Sequence, residues 1–209
     1  MCGLIALDRR HAGEASVNLG EVCSITGRRG PHSHGWALFS GTGWQIFHAA
    51  GPITSPPTDD WFIAIGHSRL ATSGTGAGTL PPPEEAQPII RGPIAIAHNG
   101  TLEQFAHGSR PDSHIAADSM YAQALSCIPE VFQSPTGAAQ AVVAASTEGY
   151  LMALRTGYGG GHPLYRTATR EGLLISSARV HDSSQLIPTG ATWITPPTTS
   201  SLSPNTSGR

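Results

Sequence analysis

Charge is scarce in this sequence: Asp, Glu, Lys and Arg make up only 12% of 209 residues, with a formal balance of -2 and a pI near 6.5. That leaves no basic field to collect nucleic acid or an anionic membrane surface, so neither is an expected partner. No stretch approaches the roughly 20 apolar residues needed to span a bilayer. The N-terminus also lacks the basic and apolar regions of a secretory signal, so a soluble cytoplasmic protein is expected. Cysteine is sparse as well. Cys2, Cys23 and Cys127 cannot all pair and show no CxxC spacing, which argues against a disulfide framework and a structural zinc site. Cys23 and Cys127 read as small apolar residues in or near the core. The 10 histidines, among them His32, His34, His67, His98, His107 and His114, include no HExxH and no paired Cys/His spacing, so no metal is expected. The glycine runs 74–78 and 157–161 lack the lysine of a P-loop and the context of a dinucleotide site, so no nucleotide cofactor is expected either. There is no internal repeat.

Glycine (25) and proline (17) are plentiful beside 39% apolar residues, which suits a loop-rich globular enzyme of one domain. Cys2 to Leu7 is an apolar run that predicts a buried strand starting at the terminus itself. A helix is predicted over Val17–Thr26, a hairpin from Trp36–Phe39 and Trp44–His48 turning at Gly41–Gly43, and a strand over Trp61–Ile65. Pro88–Ala97 reads as a further strand ending in an Asn99-Gly100 turn. Helices are predicted over Asp112–Leu125, with Asp112 or Ser113 as N-cap and Asp118 on its surface, and over Gly137–Ala145. Strands follow at Tyr150–Arg155, Leu164–Thr167, Leu173–Ser176 and Ala191–Ile194. Strands in series around two helices imply an α+β layered domain over residues 1–194. From Thr195 to residue 209 the chain is almost entirely Thr, Ser, Pro, Asn and Gly, which predicts a disordered tail.

Cys2 stands apart because of its position. Initiator methionine is usually removed ahead of a small residue, which would leave the Cys2 thiol beside its own α-amine. A thiol with pKa near 8.5 is a few per cent ionised at neutral pH, and an α-amine near 7.7 to 8.0 is a competent base for it. No separate histidine base is then required.

Five blocks accompany it in order: Met1-Cys2-Gly3-Leu4-Ile5, Arg29-Gly30-Pro31, the run from Gly66-His67-Ser68-Arg69 to Leu70-Ala71-Thr72-Ser73-Gly74, Ala97-His98-Asn99-Gly100-Thr101-Leu102, and Ala117-Asp118-Ser119. In these blocks the sequence resembles the class II glutamine amidotransferases, a branch of the N-terminal nucleophile (Ntn) hydrolases. The resemblance extends to roughly residue 190, through Arg155-Thr156-Gly157, Pro163-Leu164-Tyr165 and Ile175-Ser176-Ser177.

The resemblance implies a four-layer αββα sandwich of two antiparallel sheets, with Cys2 at a strand start in a cleft. It implies that Cys2 attacks the glutamine side-chain carbonyl, forming a γ-glutamyl thioester as ammonia leaves. Asn99 and Gly100 match the side-chain and backbone donors of the oxyanion hole. Arg69 matches the clamp on the substrate α-carboxylate, and Asp118 the acid that receives the α-ammonium. Thr72 and Ser73 follow Arg69 as further hydrogen-bonding groups, and Arg29 resembles a loop arginine that steadies the terminal residue. The expected substrate is glutamine and the expected partner a separate synthetase subunit that consumes the ammonia. Two alternatives stand beside this: hydrolysis of another γ-glutamyl amide, and a non-catalytic module that binds glutamine to regulate a partner.

Overall fold

The computed structural model describes residues 1–71, 80–82, 85–106, 110–120, 125–158, 161–190 and 192–195. Its elements are β1 (Gly3–Asp8), α1 (Leu19–Gly27), β2 (Ser33–Phe39), β3 (Trp44–Ala50), β4 (Ile63–Arg69), β5 (Ile89–Arg91), β6 (Ile94–Asn99), α2 (Asp112–Ser119), α3 (Ile128–Val131), β7 (Gln140–Ser146), β8 (Leu151–Thr156), β9 (Tyr165–Thr169), β10 (Gly172–Ser176), β11 (Gln185–Leu186) and β12 (Thr192–Thr195). One sheet has seven strands in the order β11-β9-β10-β1-β4-β2-β3, and the other has five in the order β12-β8-β7-β6-β5. All named strand pairs are antiparallel.

Strand alternation builds the layers, because successive side chains point to opposite faces. Leu4 and Ala6 of β1 join Ala37, Ile65, Ala95, Ala97, Ala141 and Val143 in a core between the two sheets. Ile5 and Leu7 instead join Val22, Cys23, Trp36 and Leu38 in a second core beneath α1. On the far side, Ile94, Ile96, Val142 and Ala144 meet Ala116, Ala117, Met120, Ile128 and Phe132 of the helical layer formed by α2 and α3. Three cores between four layers give the expected αββα sandwich. The many alanines of the central core let the two sheets approach closely.

The hairpin of β2 and β3 forms in continuous register from Ser33↔Ala50 to Phe39↔Trp44, and Gly41 takes the positive φ of 101° its turn needs. α1 starts one residue after Asn18, whose side chain caps it by accepting from the Glu21 amide. Cys23 is buried, as expected. Four expectations need correction. Gln140–Ser146 is not helical but the strand β7, pinned between β6 and β8; buried on both faces, its apolar run has no period that separates strand from helix. The strand expected over Trp61–Ile65 runs on through Arg69, so Gly66–Arg69 is strand and not loop. Pro88–Ala97 is two strands, turned at Gly92 with φ 54°. Asn99 ends β6, the chain bends at Gly100 as expected of Asn-Gly, and a 3-10 turn follows at Glu103–Phe105. The helix expected over Asp112–Leu125 ends at Ser119, with Met120 as its C-cap. The tail from residue 196 lies outside the described residues.

The start of β1 is held on both edges. Its register with β4 runs from Gly3↔Ser68, and beyond the paired part of β10 the Ser177 amide donates to the Leu4 carbonyl while Ser177 Oγ accepts from the Leu4 amide, both at 2.9 Å. His67, opposite Leu4 in β4, is 2% exposed and its Nε2 has no partner among the described residues. Burial, with His98, Arg69 and His48 adding to it, pushes its pKa down to about 3. The unfolded chain therefore takes up a proton near pH 6.5 that the folded state refuses until about 3. Stability is full above the ordinary imidazole range and is lost as pH falls toward the folded value. The melting temperature should drop by several degrees between about pH 6.5 and 4.5, and less steeply in His67→Leu. Parallel curves for the two proteins would remove His67 as a cause. His98 and His114 are shifted in the same direction by burial, so the slope should shrink without vanishing.

Candidate active site

Cys2 precedes β1 on the parity of Leu4, so its side chain belongs to the cleft between the sheets, as does that of Arg69 at the end of β4. Gly3 permits this arrangement: a Cβ there would lie 2.7 Å from the Thr26 carbonyl oxygen at the end of α1. The Cys2 sulfur accepts from the Leu70 amide at 3.4 Å. Burial pushes the thiol above its ordinary pKa, while the Leu70 hydrogen bond, the terminal amine, Arg69 and Arg29 pull it down. The net direction is upward, so the resting group is the thiol. Met1 is 56% exposed.

Asn99 ends β6 opposite Ala141 and faces the same cleft from the other sheet. Its Nδ2 donates to the Cys2 carbonyl oxygen at 3.1 Å, and Arg29 Nε donates to that oxygen at 3.3 Å. The Asn99 amide nitrogen and the residue bearing the thiol therefore touch across the gap between the sheets. Gly100 follows at φ 149°, and a Cβ there would collide with Gln140 Oε1 and lie 2.9 Å from the Ala139 carbonyl.

Behind this segment stands a buried network. Gln140 Nε2 donates to the carbonyls of Thr101 (2.7 Å) and Ala138 (3.2 Å), which turns its Oε1 toward His98 Nε2 at 2.7 Å. His98 must donate there, so its Nδ1 accepts from Ser113 Oγ at 2.8 Å. Asp112, at the start of α2, accepts from the amides of Leu102 and Ser113. These contacts lock residues 98–102. His98 acts in packing and orientation, with burial holding it neutral.

The residues expected to bind substrate are less simply arranged. Arg69 pairs with Glu85 at 2.9 Å, both partners being largely buried. Asp118 is held by Arg91 and, at 2.7 Å, by Arg110 on the outer face of α2; no ion pair joins it to Arg69 among the described residues. The carboxylate that reaches the Asn99–Leu102 segment is Asp112. Thr72 and Ser73 lie outside the described residues. His162, which sequence reading passed over, places Nδ1 3.1 Å from Asn99 Nδ2; its only signal was adjacency to the Pro163-Leu164-Tyr165 block. Ser177 likewise lay in a quoted block without a role. Among the described residues no three His, Cys, Asp or Glu side chains gather as a metal would require, and no helix is long and apolar enough to cross a membrane. A cavity of about 650 Å³ lined by Gly13, Glu14, Arg166 and His181 lies toward the Asp8 end of β1, away from Cys2.

No protein-family model and no curated protein matches the sequence. Solved structures do resemble it. Glutamine phosphoribosylpyrophosphate (PRPP) amidotransferase from B. subtilis, complexed with ADP and GMP, aligns with a TM-score of 0.57 at 17% identity, over 84% of this chain and 42% of its own. A structure described as the allosteric regulatory enzyme of purine biosynthesis aligns with a TM-score of 0.58 at 18% identity, over the same shares of both chains. The chain thus spans well under half the length of the enzymes it resembles. At such identities the likeness is one of fold, and that fold is the two-sheet α+β sandwich of the class II, Ntn-type glutamine amidotransferases.

Proposed function

We propose that this chain hydrolyses the side-chain amide of glutamine, using Cys2 as nucleophile once Met1 is removed. The observation that carries the reading is the contact from Asn99 Nδ2 to the carbonyl oxygen of Cys2, which supports an amide donor next to the residue that bears the thiol, on the face of the sheet that Arg69 also occupies. The α-amine of Cys2 takes the thiol proton, the sulfur adds to the γ-carbonyl, and negative charge develops on oxygen within reach of Asn99 Nδ2 and the Gly100 amide. Collapse of that adduct returns the proton to the departing nitrogen, releasing ammonia and leaving a γ-glutamyl thioester that water hydrolyses to glutamate.

The substrate carboxylate goes to Arg69, whose five donors can serve it and Glu85 together. The α-ammonium needs a carboxylate. Asp118 was the expected one, but Arg91 and Arg110 already occupy it, whereas Asp112 is bonded to the amide two residues beyond Gly100. We therefore assign the ammonium to Asp112. In this reading the ammonia passes to a separate synthetase partner.

Glutamate release from glutamine is the direct test. Cys2→Ala should lower the rate by at least ~10³-fold, and equal activity in the variant would rule out the nucleophile. Arg69→Lys should raise KM for glutamine by about tenfold or more with a smaller change in kcat, since an ammonium cannot form the planar fork. Gly100→Ala forces a side chain into a backbone region that costs of order 1–3 kcal/mol and against Gln140, so both stability and kcat should fall. The 12 basic residues counted as Lys or Arg are all arginine, which makes the α-amine the single aliphatic amine of this sequence. Acylating it with an amine-selective reagent should abolish turnover; full activity in the acylated protein would eliminate the amine as base.

A further inference from the structure

Asn99 carries its amide nitrogen between two acceptors. The Cys2 carbonyl oxygen can only accept, so the group 3.1 Å from it is the Asn99 NH2, which fixes the orientation of the amide. His162 Nδ1 lies 3.1 Å from the same nitrogen. A nitrogen whose hydrogens face outward needs an acceptor there, so His162 Nδ1 is unprotonated and its ring is neutral with hydrogen on Nε2. The backbone of His162 is fixed too, since Arg155 Nε donates to its carbonyl oxygen at 3.1 Å.

We infer that His162 is a positioning residue for the oxyanion donor: as a neutral acceptor it fixes which edge of the Asn99 amide, NH2 or oxygen, faces the site, and it yields the hydrogen it holds to the oxygen on which charge develops, while the other hydrogen stays on the Cys2 carbonyl. The inference rests on the glutaminase reading above and extends it to a residue that reading does not use. A protonated His162 presents an N–H at Nδ1. That hydrogen repels the Asn99 NH2 and favours the flipped amide, whose Oδ1 would then face the site where negative charge must form.

The surroundings oppose that protonation from every side. Burial disfavours the charged ring, and Arg29 beyond α1, the terminal amine ahead of β1 and Arg155 of β8 act in the same direction, as does His98 of β6 once it too is protonated. The switch to the inactive amide therefore lies below the ordinary imidazole range, and the enzyme works with His162 neutral at physiological pH.

The pH dependence of kcat/KM separates this from a structural role. The α-amine alone gives an acid limb of slope one; with His162, the slope should steepen to two at lower pH. In His162→Gln, whose Oε1 accepts a hydrogen bond at any pH, kcat should stay near wild type and the slope should remain one. In His162→Ala, kcat should fall ~10- to 100-fold, approaching the loss of an oxyanion donor, while KM stays within about threefold. An unchanged kcat in His162→Ala, or a steepened limb retained in His162→Gln, overturns the inference. The side-chain amide resonance of Asn99, identified by its loss in Asn99→Ala, gives a readout independent of turnover. In Cys2→Ala protein it should shift with the titration of His162 and lose that shift in His162→Gln. If it ignores His162, the positioning role fails while Cys2-dependent hydrolysis still stands. If it follows His162 but no Cys2-dependent hydrolysis occurs, the glutaminase reading fails and the catalytic purpose of the bond with it.

Discussion

The contact between the Asn99 side chain and the Cys2 carbonyl ties the two sheets together at the mouth of their shared cleft, and the geometry of the site follows from it. The central core behind it is largely alanine and aliphatic, so packing alone holds the sheets together without specifying which polar atoms meet at the edge. The hydrogen bond from the Asn99 amide to the Cys2 carbonyl adds a directional contact at that edge, reinforced by Arg29 on the same oxygen. The tie depends on parts well away from it. Gln140, His98, Ser113 and Asp112 fix residues 98–102 from behind, and Ser177 fixes Leu4 from the side. Loosening any of these moves one end of the contact.

The local chain explains much of how these parts are delivered. β1 is buried on both faces because it runs through the middle of the seven-stranded sheet, which is why its sequence is apolar without alternation. β3, at the edge of that sheet, stays partly exposed along its whole length. Between them, β4 carries Arg69 to the end of the cleft. Its partner Glu85 lies shortly before β5, so an ion pair ties the approach to β5 to the end of β4.

The hairpin of β2 and β3, the strand at the terminus, the helix α1 and the last strands were legible in the sequence because turn residues, caps and apolar runs are local signals. Cys2, Arg69, Asn99 and Gly100 were legible as a set through ordered motifs, and the structure brings Cys2, Asn99 and Arg69 to one cleft. β7 was not legible as a strand: Ala-Val-Val-Ala-Ala suits a buried helix turn as well as a strand between β6 and β8, and only the neighbours decide. Nor was the partition of the two aspartates on α2. Asp112 and Asp118 look alike in sequence, and it takes the positions of Arg91 and Arg110 to see that one is already neutralised. His162 was invisible for a related reason, since its significance is a single distance to a residue 63 positions away.

The fastening of β1 also constrains how the protein can be handled. Its first paired residue is Gly3, and Cys2 is already engaged through its carbonyl and its sulfur, so no slack of chain separates the terminus from the sulfur. A purification handle or fusion partner joined ahead of Met1 would keep the Cys2 nitrogen in an amide bond, where the proposed chemistry needs it as a free amine. Preparations intended to report on this site need their handle at the other end, or one cleaved to leave Cys2 foremost.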